Sequence, residues 1–148
     1  MTEKIVKTSD LSGRALDYAV AMAVGGYELI PVPPDVDGKN EGWVLAPRNL
    51  LSRGYTFPPK GKLSIDFFVR KYSGDWSESG NLVEKYSIEL VNELLPDEQW
   101  GGRMVWSASC NYVQDGYEDG DTPCIAICRA VVAVKIGQEV SVPEELLQ

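Results

Sequence analysis

The chain has 148 residues, 44% hydrophobic and 24% charged, enough for one soluble domain with a core of its own. It contains no histidine, which excludes mechanisms that need an imidazole base, proton shuttle or metal ligand. Charge is uneven: residues 1–74 hold eight acids against ten bases, whereas residues 75–148 hold fourteen acids against Lys85, Arg103, Arg129 and Lys135. A surface dominated by that second half repels duplex DNA, whose binding depends on Lys and Arg displacing condensed counterions, so direct nucleic-acid binding is not expected.

The first predicted element follows Ser12. Leu16, Ala19, Val20, Ala23 and Val24 recur at helical spacing, Arg14 and Asp17 can face water, and Gly25-Gly26 supplies a stop, giving a helix over 13–24. Short apolar or alternating runs then predict strands near Tyr27–Val32, Gly42–Ala46, Leu63–Arg70, Ile88–Val91 and Arg103–Ser109, with LSIDFFVRKY the clearest. Between them PPDVDGKNEG, FPPKGK, SGDWSESGN, LPDEQWGG and QDGYEDGD combine Gly or Pro with Asp, Asn or Ser and read as loops.

The last predicted helix is bounded by Asp121 or Thr122 as N-cap, Pro123 at the first position and Gly137 as stop. CIAICRAVVAVKI between them is apolar nearly all round, so this helix is buried on every side and organises the core. Cover from a second copy is one way to bury it, and a homo-oligomer is expected. Two helices flanking a run of strands indicate an α+β fold: a single domain over 1–148, with a mostly antiparallel sheet packed against an N-terminal and a buried C-terminal helix.

No stretch is long and apolar enough to span a bilayer, and MTEKIVKTSD lacks the apolar core of a secretory signal, so a cytoplasmic location is expected. Three cysteines, Cys110, Cys124 and Cys128, are an odd number and read as reduced, buried thiols. A zinc site would need a fourth ligand that the pattern does not supply. The run Asp115, Tyr117, Asp119, Gly120 is a poor calcium loop, because Ala126 stands where a bidentate Glu belongs. It reads instead as an acidic turn before a helix N-terminus. No phosphate loop or nucleophile elbow occurs, and no cofactor and no catalysis are expected.

Arg129 shares a helical stripe with Ile125, Val132 and Ile136, so its guanidinium starts inside an apolar face. It must find a carboxylate, a row of carbonyls or a ligand anion. The plainer outcome is a buried ion pair with Asp75 or Asp17. Trp76, Trp100 and Trp106 read as core or loop anchors before stacking platforms, and Trp43 suits a sheet edge. Arg48, Arg53, Lys60, Lys62, Arg70 and Lys71, interleaved with Tyr55 and Phe57, form the one segment suited to anion capture with aromatic stacking.

Three segments carry a resemblance: VKTSDLSGRALDYAVAMAVG, KYSGDWSESGNLVEKYSIEL, and VWSAS followed by GDTPCIAICRAVVAVKIGQEV. In that order they resemble the NinX-like proteins of phages and prophages, a family without an established activity. The most specific parts are the YS-x-DW loop and the G-x-TP-x-IA-x-x-R helix. The chain departs from the family at Gly80-Asn81, where relatives carry Gly-Pro, and at Gly120-Asp121, where relatives carry a Gly before Thr-Pro. Residues 42–62 are also longer and unlike them.

The resemblance points to Tyr72, Ser73, Asp75, Trp76, Gly80 and Glu84, and to Trp106, Thr122, Pro123 and Arg129. It implies a phage or prophage accessory protein in the host bacterial cytoplasm. The expected function is non-enzymatic sequestration of a small anionic, nucleotide-like host molecule, of counter-defence type. The expected ligand-binding residues are Tyr72, Ser73, Asp75, Trp76, Thr122, Arg129, Arg70 and Lys71. The alternatives are a protein inhibitor of a host enzyme, with the acidic half imitating DNA, and a recombination-region accessory protein.

Overall fold

A computed structural model describes residues 2–34, 41–57, 63–95, 103–110 and 117–147. The chain divides into two compact units, Gly25–Val69, and Thr2–Val24 together with Arg70–Gln148. The class is the expected α+β with antiparallel pairing throughout, but the described strands form three small sheets where one was expected.

In the larger unit the two ends of the chain meet. Strand β1 (Glu3–Lys7) pairs antiparallel with β7 (Glu139–Pro143), Glu3 opposite Pro143 and Lys7 opposite Glu139. Thr8, fully buried, fastens the exit of this ribbon: its Oγ1 donates to the Gly137 carbonyl at 2.6 Å and its N–H to that of Gln138 at 2.9 Å. Helix α1 (Gly13–Val24) follows as the spacing predicts, burying Leu16, Ala19 and Val20, with positive-φ Gly25 and Gly26 after it.

The three-stranded sheet runs in the order β4 (Ile88–Leu95), β5 (Arg103–Cys110), β6 (Glu118–Gly120). Helix α3 (Pro123–Lys135) starts where Thr122 accepts the Ile125 N–H at 3.2 Å, with Pro123 in the first turn. Cys124, Ala126, Ile127, Cys128, Ala130, Val131 and Val132 are buried against β5, β6, α1 and a third helix, α2 (Trp76–Tyr86). The cover that its apolar surface demands thus comes from the chain itself, so α3 no longer argues for a second copy. The approach is tight at Gly120, where a Cβ would stand 2.5 Å from the Ala126 nitrogen.

Three expectations are corrected. Glu118–Gly120, read within the acidic turn QDGYEDGD, is strand β6, paired with β5. SGDWSESGN, read as a loop, opens helix α2 (Trp76–Tyr86). Ser77, Gly80 and Asn81 are weak helix formers, but Asp75 caps the N-terminus, and burial of Ser79 and Leu82 outweighs propensity. LSIDFFVRKY, read as the clearest strand, is instead a run of turns at 65–68, with Phe67 N–H donating to the Ser64 carbonyl and Val69 N–H to that of Asp66. The Ser64 hydroxyl bonds the Asp66 carboxylate, a local side-chain bond of the kind that favours turns.

In the smaller unit, β2 (Tyr27–Pro31) and β3 (Trp43–Pro47) form a hairpin, Tyr27 opposite Pro47 and Pro31 opposite Trp43. Val44 and Ala46, on one face of β3, join Val32 and Phe57 in a core closed by Tyr55 and Phe68. These three rings pack edge to face with centroids 5.2 to 5.9 Å apart.

Candidate functional site

The site is built on the turn that leads into α2. Tyr72 N–H donates to the Arg70 carbonyl at 3.0 Å, and Gly74 and Asp75 N–H both donate to that of Lys71, at 3.2 and 2.9 Å, so 70–75 is a tight double turn. Tyr72 is buried beneath it. Ser73 ties the turn to α1, its N–H donating to Asp17 Oδ1 at 2.7 Å and its hydroxyl to the Gly13 carbonyl at 3.4 Å.

Asp75 is the N-cap of α2: its Oδ1 accepts the Ser77 N–H at 2.9 Å and the Ser77 hydroxyl at 2.7 Å. Those two bonds, the hydroxyl's first, hold its carboxyl below the usual carboxylate range. Ser79, fully buried one turn on, donates its hydroxyl to Cys124 Sγ at 3.1 Å and so joins α2 to the first turn of α3.

With cap and ties in place, Trp76 is held at the first position of α2 yet is 54% exposed. Lys71 is exposed beside the turn, and exposed Arg70 pairs with Glu78 at 3.2 Å, a contact worth little in water. The arrangement offers an indole face and two cationic chains at a helix N-terminus, where the macrodipole favours negative charge.

The last helix is different. Thr122 is spent on capping α3. Arg129 donates from Nε to the Leu11 carbonyl at 2.9 Å and from Nη1 to the Asp119 carbonyl at 2.8 Å. The expected ion pair with Asp75 or Asp17 is therefore replaced by a carbonyl clasp that fastens the chain before α1 and strand β6 to α3. Tyr72, Ser73, Asp75 and Trp76 form one turn with Arg70 and Lys71, whereas Thr122 and Arg129 act within the α3 framework.

The basic aromatic segment is also rearranged. Phe57 is buried and Tyr55 half-buried in the core of the smaller unit. Arg53 curls onto its own turn, donating from Nη2 to the Arg48 carbonyl at 2.9 Å and from Nε to that of Asn49 at 3.4 Å. Lys60, Lys62 and Trp100 lie outside the described residues, as does Asp115 of the weighed calcium run. Trp43 begins β3, exposed.

A polar group that the sequence reading did not single out lies beside Arg129. Buried Ser107 donates its hydroxyl to Asp119 Oδ1 at 2.6 Å, and the neighbouring Glu118 Oε1 is buried with no hydrogen-bond partner. Burial raises the Glu118 carboxyl, Asp119 adds to the rise, and Arg129 opposes it. The S-x-S alternation of β5 is the signal that could have exposed Ser107, because a strand facing core on both sides must satisfy its hydroxyls internally. All three cysteines are free and buried. Burial pushes Cys110 up to about 11 and Cys128 higher still, so these thiols are poor nucleophiles and poor ligands. No cluster of three metal-ligating side chains occurs among the described residues.

Residues 7–135 match the family described as Bacteriophage P22, NinX. The chain belongs to that family. The match to the NinX family runs from the end of β1 to the last residue of α3, and so includes the Tyr72–Trp76 turn, α2 and the Arg129 clasp. No curated protein matches the chain. No helix among the described residues is long and apolar enough to cross a membrane.

Proposed function

We propose that this phage-family protein is a non-enzymatic accessory that works by binding, holding a small anionic, nucleotide-like host molecule at the Arg70–Trp76 turn. The observation that carries the reading is Trp76, more than half exposed on a backbone immobilised by the Asp75 cap and the Ser73–Asp17 bond. An exposed indole on a fixed backbone offers a stacking surface for a base, and Arg70 and Lys71 supply charge for a phosphate. A turn backbone fixed beforehand loses little entropy on binding. Isothermal titration with mono- and dinucleotides tests it. Binding weakened at least tenfold by Trp76→Ala and by the pair Arg70→Gln, Lys71→Gln supports the proposal; nucleotides that bind equally well to these variants, or not at all to the parent, reject it.

A second reading, direct inhibition of a host enzyme, is favoured by Leu94 and Met104. They face each other across β4 and β5 and are 63% and 53% exposed. Exposed apolar pairs of this kind suit a protein partner. Charge imitation of DNA would show as inhibition that falls steeply with salt, whereas an apolar contact through Leu94 would not.

A further inference from the structure

Strand β6 carries an acid at a position turned to the core. Glu118 stands opposite Ala108 and Gly120 opposite Trp106, so residues 118 and 120 share one face of the sheet. A Cβ on Gly120 would meet Ala126 and Ile125, which fixes that face as the one turned to α3. Asp119, on the other face, bonds Ser107. Glu118 therefore enters the layer between sheet and helix, across from fully buried Ala108.

That layer receives a carboxylate poorly. Glu118 Oε1 is buried without a hydrogen-bond partner, a costly state for a charged group. The elements packed on β6 are α3 and β5. Helix α3 carries Arg129, the thiols of Cys124 and Cys128, and Lys135, which stands over the Tyr86 ring in the last turn. Strand β5 carries the Cys110 thiol, with Arg103 at its start, outside the three residues that pair with β6; β6 itself adds Asp119. Arg129 favours the ionised form from nearby, but its Nε and Nη1 are taken by the Leu11 and Asp119 carbonyls. Burial first and Asp119 second hold the Glu118 carboxyl above its ordinary value of 4.5. The strand that must bury it is lightly held, by three residue pairs to β5 and the bond from Arg129 to the Asp119 carbonyl. Small edge elements of this kind open well below the cost of global unfolding.

We infer that Glu118 is a proton-operated latch: neutral, it lets β6 close onto β5 and α3; ionised, it turns to water and draws the three-residue strand off with it. Release frees the Asp119 carbonyl from Arg129 and bares the edge of β5 at residues 106–108. The open strand titrates at the ordinary carboxylate value and the closed strand above it, so closing takes up a proton. Closure is therefore strongest on the acid side. It weakens by about tenfold per pH unit above the ordinary value and levels off once the closed carboxyl has also ionised. The latch needs no ligand at the Arg70–Trp76 turn and stands apart from the nucleotide reading.

Amide hydrogen exchange of the full chain, followed by NMR and corrected for the intrinsic pH dependence of exchange, reads the opening directly. From about pH 4 to about pH 8, protection of the amides that join β5 to β6 should fall severalfold, whereas that of the β1–β7 ribbon should hold. Glu118→Gln keeps the shape without the ionisation and should make β6 protection flat across the range. Glu118→Met, which removes the charge by another route, should do the same and serves if the glutamine variant folds poorly. Protection at β6 that does not change with pH in the parent, that falls as steeply in the Glu118 variants, or that falls by the same factor as the β1–β7 ribbon overturns the inference.

Discussion

Arg129→Ala removes both hydrogen bonds by which α3 holds the Leu11 carbonyl and the Asp119 carbonyl. The Nε bond is partly buried and the Nη1 bond is exposed. A shielded charge-assisted bond contributes about 1.5–2 kcal/mol and an exposed one about 0.5–1, so the loss should be about 2–3 kcal/mol. For a chain of this length that lowers Tm by roughly 5–10 °C. Urea unfolding followed by far-UV circular dichroism should show a lower midpoint with an unchanged slope. Arg129→Lys, able to reach one carbonyl, should lose about half as much. Nucleotide binding by the folded Arg129→Ala protein should survive, because the clasp belongs to the framework. An Arg129→Ala protein within about 0.5 kcal/mol of the parent would refute the clasp, since surface substitutions fall in that range.

Gly120→Ala would drive a Cβ against the Ala126 backbone nitrogen and Ile125 Cγ2, neither of which can withdraw without moving α3. We expect about 2–4 kcal/mol of destabilisation in thermal melts, and an unchanged Tm would argue against the close β6–α3 contact. Burial raises Tyr18 from 10.0 to about 12 and Cys110 from 9.0 to about 11. Both keep their protons in the fold longer than in the unfolded chain, so their contribution is complete below the unfolded values and lost as pH rises. Stability should therefore decline from about pH 9 to pH 12 in equilibrium unfolding, less steeply in Cys110→Ala. Iodoacetamide at pH 8 should leave Cys110, Cys124 and Cys128 unmodified in the native protein and alkylate all three in urea; fast native labelling of Cys128 would contradict its burial.

The two outer helices were legible because each rule pointed the same way: apolar spacing in α1, and cap, proline and apolar run in α3. Helix α2 was hidden by its own composition. Asp75 with Glu78 three residues on is a capping-box pattern, but Ser77, Gly80 and Asn81 made the segment read as a turn, and only tertiary burial of Ser79 and Leu82 decides the matter. Strand and turn were confused at 63–70 because the apolar residues there fill a small core from a coiled backbone, which imposes no fixed period. Strands β1 and β7 escaped notice because each is five residues long and their partners are 136 positions or so apart in sequence, a pairing that no local pattern encodes. At the site, the sequence identified the turn and its tryptophan, whereas the destination of the Arg129 guanidinium depended on where two backbone carbonyls fell.

A small anionic molecule held at the Trp76 turn should stay with the protein through purification. Native mass spectrometry of the protein purified from a bacterial host tests it most directly, with Trp76→Ala purified in parallel. The account predicts a retained adduct of nucleotide mass on the parent, recovered chemically unchanged after denaturation and absent from the variant. The bare chain mass in both preparations, despite saturation with host nucleotide extract, would contradict it.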